Sequence, residues 1–423
     1  MFKTTAKSPT LRMHELANQR TKAGEKIIRF GFGQSPFGPP KSVVEALKEN
    51  AHEHYYAPVA GIPQLREAVA QFHQQYDKID CDAGQILINA GSKSLLFAAL
   101  AAFKTAHVLI PAPTWVSYAP QAELIGHKIT PIITNRKDRW RITAPNLDHI
   151  LSQTSSQEPR VLILTSPGNP DSLIYTKDEL IQIAEVARKH DIFIISDEIY
   201  SRLQYTGNFE SIVKYYPEKT IVTNGLSKWC GAGGWRLGTA LIPKNLVDNL
   251  GATMIGILSE TTSCASVPVQ LAALKAYENT PEMETDVAHR RRILQALGFY
   301  SADTLNKAGL DVKTPQGGFY IFVDFMNFDQ ILAKKNITNS AQLCEKILTD
   351  TGVALLSGEA FGVPSDYLSA RLAFVDFDGS AALNASYEIG LDTPLPDTFI
   401  QTHGPNVTEG IQRLSRWFFD LST

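Results

Sequence analysis

The stretch DIFIISDEIY at residues 191–200, followed at 219–238 by KTIVTNGLSKWCGAGGWRLG, sets the class of fold. In each, a short run of β-branched and apolar residues passes without alternation into a charged or glycine-rich segment. Continuous apolar runs of that length belong to strands covered by helices on both faces of a mostly parallel sheet. The rhythm recurs at QILINAG (85–91), HVLIPAP (107–113), HKITPII (127–133), RVLILTSP (160–167) and RLGTALIP (236–243), with longer helical stretches between. An α/β chain is therefore expected, with ligands gathered at the carboxyl ends of the strands.

Pro/Gly-rich punctuation at GFGQSPFGPP (31–40), TPQGGFY (314–320) and LLSGEAFGVP (355–364) brackets this region, and EGIQRLSRWFFD (409–420) is amphipathic. These features predict a smaller α+β domain built from both termini. The expected boundaries are 1–44 for an N-terminal arm and part of the small domain, 45–304 for a large ligand-binding domain, and 305–423 for the rest.

With 423 residues, 44% hydrophobic and 20% charged, the chain can bury a large core. A formal net charge of -3 with interspersed signs makes no field suited to nucleic acid or an anionic membrane, so small-molecule partners are expected. Cys81, Cys230, Cys264 and Cys344 stand far apart without a CxxC pair or metal-ligand spacing, which predicts a reducing compartment and no metal site. The first residues carry basic and hydroxyl groups with no acid before Glu15, a composition shared with transit peptides. They lack an apolar signal core, no run of about 20 apolar residues follows, and an ordered arm on a cytoplasmic protein is the expectation. The NVT at 406–408 is a glycosylation sequon in form only.

The chemistry concentrates at strand ends. Gly91-Ser92-Lys93-Ser94 joins QILINA to the helical run LLFAALAAF, so the N–H groups of a helix N-terminus face a strand end, as in an anion cup. The segment is not a Walker A loop, because Ser92 precedes the lysine and the upstream glycine is missing; GFGQSPFG lacks the third glycine and the helix of a dinucleotide fingerprint. Asp197 and Glu198 end a buried strand, where an ionised carboxylate needs a cation or strong donor, and a protonated heterocyclic nitrogen would suit Asp197. In the next unit Lys228 ends a strand and Arg236 follows across a glycine-rich turn, one cation fit to be a nucleophile and the other a phosphate clamp. Singly, each such residue reads as well as a cap, a core packing residue or a solvated charge.

Their joint order resembles the class I/II aminotransferases of pyridoxal-phosphate (PLP) fold type I, from about Phe30 to Phe374, and most nearly the bacterial-type aspartate aminotransferases. YAPVAGIPQLREAVA (56–70), APTWVSY (112–118), SPGNP (166–170), SDEIY (196–200), GLSKWCGAGGWRLG (225–238) and SARLAF (369–374) carry the resemblance. It implies a mostly parallel central sheet between helices, PLP as cofactor, an amino acid and a 2-oxo acid as substrates, and a homodimer with shared active sites. Lys228 would hold the cofactor as a Schiff base and shuttle the proton at the substrate Cα; Asp197 would keep the pyridine nitrogen protonated. Asn169 and Tyr200 would donate to the ring's phenolate oxygen, and Trp115 would stack on the ring. Gly91, Ser92, Lys93, Ser227 and Arg236 would hold the phosphate, joined by Tyr56 from the neighbouring subunit. Arg371 would clamp the substrate α-carboxylate, with Gly33 closing over it.

The chain departs from the family pattern at two places. It reads Asn169-Pro170-Asp171-Ser172 where many relatives carry N-P-T-G, and Trp229-Cys230-Gly231 after Lys228. Cys230 is expected to be a packing residue. Lys93 suggests a dicarboxylate such as aspartate or glutamate, with 2-oxoglutarate as acceptor and Ser8 or Thr10 assisting from the arm. Aromatic and alanine-type amino acids remain open, as do elimination or cyclisation on the same scaffold, because the cofactor carries the hard chemistry. A regulatory binding protein would need an appended DNA-binding domain, and no basic helix-turn-helix candidate precedes the motifs.

Overall fold

In the computed structural model, which describes residues 9–154, 157–278 and 280–422, the apolar runs pair into one seven-stranded sheet. Its order is Ile86–Asn89, Gly238–Leu241, Thr220–Gly225, Phe193–Asp197, Arg160–Thr165, His107–Ala112 and Lys128–Ile133. Every neighbouring pair is parallel except those made by Gly238–Leu241, which runs against both its neighbours.

The sheet is mixed-α/β because its faces are both apolar. Along the fifth of these runs, Arg160–Thr165, Val161 and Ile163 join a cluster with Leu95, Val108, Ile195 and Met254, while Leu162 and Leu164 join another with Leu147, Leu180, Ile183 and Ile194. Alternate side chains thus enter two cores, as the period of two in a strand dictates. Helices Ser92–Ala101 and Ala252–Thr261 cover one face, and Ala144–Gln153 and Lys177–Lys189 the other. Lys128–Ile133 sits at an edge and is largely exposed, which is where a strand can carry Lys128 and Pro131.

A second, four-stranded antiparallel sheet orders Leu356–Ser357, Ser369–Ala373, Tyr320–Asp324 and Asp311–Val312. The 27-residue helix Pro281–Lys307 precedes it, started by Thr280, whose hydroxyl accepts from Met283 N, and by Pro281 in the first turn. The amphipathic C-terminal run forms Pro405–Ser422 and buries Val407, Ile411, Leu414 and Phe418 on one side. Ile28–Arg29 pairs in parallel with Val353–Ala354, so a segment that precedes the central sheet meets one that follows it.

Candidate active site

The carboxyl ends of the central strands open into a cavity of about 490 Å³. It is lined by Gly33, Ser92, Lys93, Trp115, Asn169, Asp197, Tyr200, Ser227, Lys228, Arg236 and Arg371, so the sequence motifs converge on one space. Gly91 lies just beneath, as the residue preceding helix Ser92–Ala101. Tyr56 stands apart, 89% exposed and outside the cavity wall. Thr10 and Leu11, from helix Pro9–Lys22, form part of the wall, whereas Ser8 lies outside the described residues.

The reversed strand explains the floor. Gly225 and Gly238 are paired neighbours, so the turn between them brings Lys228 and Arg236 to the same sheet end. Arg236 itself adopts a left-handed backbone (φ 59°) and donates to Gly233 O at 2.8 Å. Gly91 has φ 92°, and a Cβ there would collide with the Arg236 guanidinium, so only glycine admits the cation to the helix N-terminus. The N-terminus of helix Ser92–Ala101 thus stands beside a guanidinium, an arrangement that suits a dianion.

Asp197 is buried, accepting from Tyr118 Oη at 2.6 Å, Ile199 N at 3.3 Å and Thr223 Oγ1 at 3.5 Å. Burial outweighs these donors and pushes its pKa up to about 6. A cationic N–H donor at the carboxylate would supply the missing partner. Glu198 turns the other way, accepting from Ser211 Oγ at 2.6 Å and Ser196 Oγ at 2.8 Å, and burial lifts it to about 8. The two acids at the strand end therefore do different things, and Asp197 alone faces the cavity.

Lys228 Nζ donates to Gly33 O at 2.9 Å and lies 5.7 Å from the ring centres of Tyr200 and Phe319. Tyr200 Oη and Tyr320 Oη are 2.8 Å apart. Trp115 packs edge-on against Tyr118, with Lys93 Nζ 4.8 Å from its ring centre. Burial, then Arg236 and Lys228, lower the pKa of Lys93.

Arg371 is 2% exposed, donating to Asn169 Oδ1 at 3.1 Å and Gly31 O at 2.8 Å while its Nε has no partner. Its guanidinium lies over the Tyr320 ring at 4.5 Å, and burial lowers its pKa. Among the described residues no carboxylate pairs with it, an arrangement that invites one from a ligand.

The sequence departures have local explanations. Asp171, buried, pairs with Arg141, which also donates to Thr165 O at 3.2 Å and lies over the Tyr175 ring at 5.0 Å. Ser172 takes the left-handed backbone (φ 55°) that glycine would adopt freely, and its hydroxyl accepts from Tyr320 N at 2.9 Å. Cys230 is fully buried and its thiol pKa is pushed up to about 12 by burial, which fits packing rather than reactivity. Tyr118, Thr165 and Tyr320 were missed as site residues by the sequence reading. Tyr118 closes the APTWVSY segment, three residues beyond Trp115, and that spacing was the available signal.

Four cations and one carboxylate therefore face a flat aromatic wall. The set fits a dianion at the helix end, a planar protonated heterocycle between Trp115 and Asp197, and a carboxylate at Arg371. Residues 25–374 match the family described as aminotransferase class I and II. The chain is 30% identical over 368 residues to an asparagine–oxo-acid transaminase of Streptococcus mutans, covering 85% of this chain and 90% of the relative. It is 32% identical over 357 residues to aromatic-amino-acid aminotransferase 2 of Thermococcus litoralis, covering 80% and 85%. The solved aspartate aminotransferase of Thermotoga maritima superposes with a TM-score of 0.80 at 26% identity, covering 97% of each chain. The chain belongs to the class I and II aminotransferases, and it is a pyridoxal-phosphate-dependent enzyme.

Proposed function

We propose that the enzyme moves the amino group of a dicarboxylic L-amino acid, aspartate or glutamate, to a 2-oxo acid such as 2-oxoglutarate in a ping-pong sequence. The observation that carries the substrate choice is the number of cations in the cavity. Arg236 suits the cofactor phosphate, Lys228 the cofactor carbonyl and Arg371 an α-carboxylate, which leaves Lys93 for a second carboxylate. Several relatives, from Bacillus, Geobacillus and Pyrococcus abyssi, are named aspartate aminotransferases, which agrees with this choice. The apolar Leu11 and Val116 beside Trp115 favour a second reading, an aromatic substrate, as in the name of the Thermococcus litoralis relative.

Bound in this cavity, PLP supplies an electrophilic carbon and a ring that accepts electrons. Lys228 would carry the proton between the substrate Cα and the cofactor's electrophilic carbon, in one direction in the first half-reaction and in the other in the second. Asp197 holds the ring nitrogen protonated, and Tyr118 and Thr223 fix the carboxylate in place. Asn169 and Tyr200 donate to the ring oxygen, Ser92 and Ser227 assist Arg236 at the phosphate, and Trp115 covers the ring. Arg371 and the backbone at Gly33 orient the α-carboxylate so that the Cα–H faces Lys228.

The enzyme acts as a homodimer, with Tyr56 completing the phosphate site of the partner subunit; its 89% exposure in the single chain supports this. Its setting is the cytoplasm, in keeping with four free cysteines and with the lack, among the described residues, of any helix long and apolar enough to cross a membrane.

The purified protein should absorb near about 360 to 430 nm in a Lys228-dependent way, as expected of a lysine-bound cofactor. Aspartate or glutamate should shift the band to shorter wavelength, and 2-oxoglutarate should restore it. A shift with phenylalanine alone favours the second reading; release of ammonia without an amino-acid product assigns a lyase; no Lys228-dependent band after PLP addition overturns the proposal.

A further inference from the structure

Tyr320 belongs to none of the roles above, yet its phenol sits at the centre of the site. The hydroxyl lies 2.8 Å from Tyr200 Oη and 3.5 Å from Gly33 O, the carbonyl that also receives Lys228 Nζ. Its ring carries the Arg371 guanidinium at 4.5 Å. Both tyrosines are almost fully buried, at 3% and 1% exposure, so water does not compete for their hydroxyls. The position is held from behind: Tyr320 N donates to Ser172 Oγ at 2.9 Å, and a Cβ on Gly33 would collide with the Tyr320 hydroxyl.

Each phenol has one hydrogen to give and can accept another. The contact from Tyr320 to Gly33 O lies at the limit of hydrogen bonding, whereas the one to Tyr200 is of ordinary strength. Burial holds the Tyr200 phenol well above its usual pKa, so it stays protonated and able to donate.

We propose that Tyr320 is a positioning residue acting through Tyr200: its hydroxyl donates to Tyr200, which frees and polarises the Tyr200 hydrogen for the cofactor's ring oxygen. The inference rests on the assignment of Tyr200 as donor to that oxygen. A chain of two hydroxyls strengthens the terminal donor, because each bond polarises the next. A stronger donor stabilises the ring oxygen as an anion and lets the bound chromophore lose its proton at lower pH. Tyr320 thereby links the protonation of the cofactor to the seat of the carboxylate clamp.

The test is a spectrophotometric pH titration of the holoenzyme without substrate, on wild type, Tyr320→Phe, Tyr200→Phe and the double variant. Tyr320→Phe should raise the midpoint of the visible band by about half a pH unit, and Tyr200→Phe by more. The double variant should match Tyr200→Phe, since removing the terminal donor leaves Tyr320 nothing to act through. Site-specific replacement of Tyr320 by 3-fluorotyrosine, a more acidic phenol of almost the same shape, should lower the midpoint. An unmoved midpoint in Tyr320→Phe, or an equal further rise in the Tyr200→Phe background, overturns the relay. If Tyr320→Phe does not fold, the fluorotyrosine enzyme decides, and an unmoved midpoint there overturns it. Absence of any Lys228-dependent band in wild type is the separate failure of the cofactor reading.

Discussion

Arg371 Nη1 donates to Asn169 Oδ1 at 3.1 Å, tying strand Ser369–Ala373 to the loop that follows Arg160–Thr165. The guanidinium plane is fixed by that bond, by Gly31 O and by the Tyr320 ring beneath it. A lysine has neither the fork nor the flat face. Arg371→Lys should lower kcat/KM by roughly 100-fold, about 2.7 kcal/mol, as expected for losing hydrogen bonds to a charged group. The loss should fall on KM for both the amino acid and the oxo acid, because both carry an α-carboxylate; steady-state kinetics with unchanged KM would count against the clamp.

Asp197 reaches a pKa of about 6 in the cofactor-free chain, above its ordinary 3.8. The folded state then holds the proton through a range in which the unfolded chain has lost it. Stability is therefore greatest below about pH 4 for this group and is lost as pH rises toward 6, by roughly 3 kcal/mol. Urea denaturation of apoenzyme should show wild type falling relative to Asp197→Asn across that window, and PLP should reduce the gap by pairing the carboxylate. Parallel curves for the two proteins would refute the cause assigned here.

Arg141 and Asp171 are both buried, and Arg141 holds the loop bearing Asn169 at Thr165 O and at the Asp171 carboxylate. Arg141→Met should destabilise the protein by about 3 to 5 kcal/mol, since it strands a buried acid. The paired change Arg141→Met with Asp171→Leu should recover much of this. Denaturant midpoints for the three proteins check the sign of the coupling.

Gly91→Ala should weaken PLP binding by an order of magnitude or more, while leaving the rest of the cavity in place. The added methyl group occupies the space of the Arg236 guanidinium, and the positive φ disfavours alanine. Fluorescence titration of apoenzyme with PLP measures the change; equal affinity would remove Arg236 from the phosphate site.

The strand ends were legible because an apolar run that stops at a charge marks the exit from a core: Asp197, Lys228 and Lys93 all lie just beyond such runs. The C-terminal helix was legible from the spacing of Ile411, Leu414 and Phe418. Strand direction was not, since RLGTALIP reads alike whether it runs with the sheet or against it, and only pairing with Ile86–Asn89 decides. The partner of Asp171 was hidden for the same reason: Arg141 lies 30 residues earlier in an unremarked loop. Tyr320 was passed over because TPQGGFY reads as punctuation, and nothing local reveals that its last residue returns to Tyr200.

The reversed strand also orders events during synthesis. Among the described residues, Ile86–Asn89 has Gly238–Leu241 as its only neighbour in the sheet. A nascent chain that has emerged only as far as Arg236 therefore exposes an unpaired β-edge of Ile-Leu-Ile, the kind of surface that recruits other edges or a chaperone. The N-terminus of helix Ser92–Ala101 and the Arg236 side chain come together only when that edge closes.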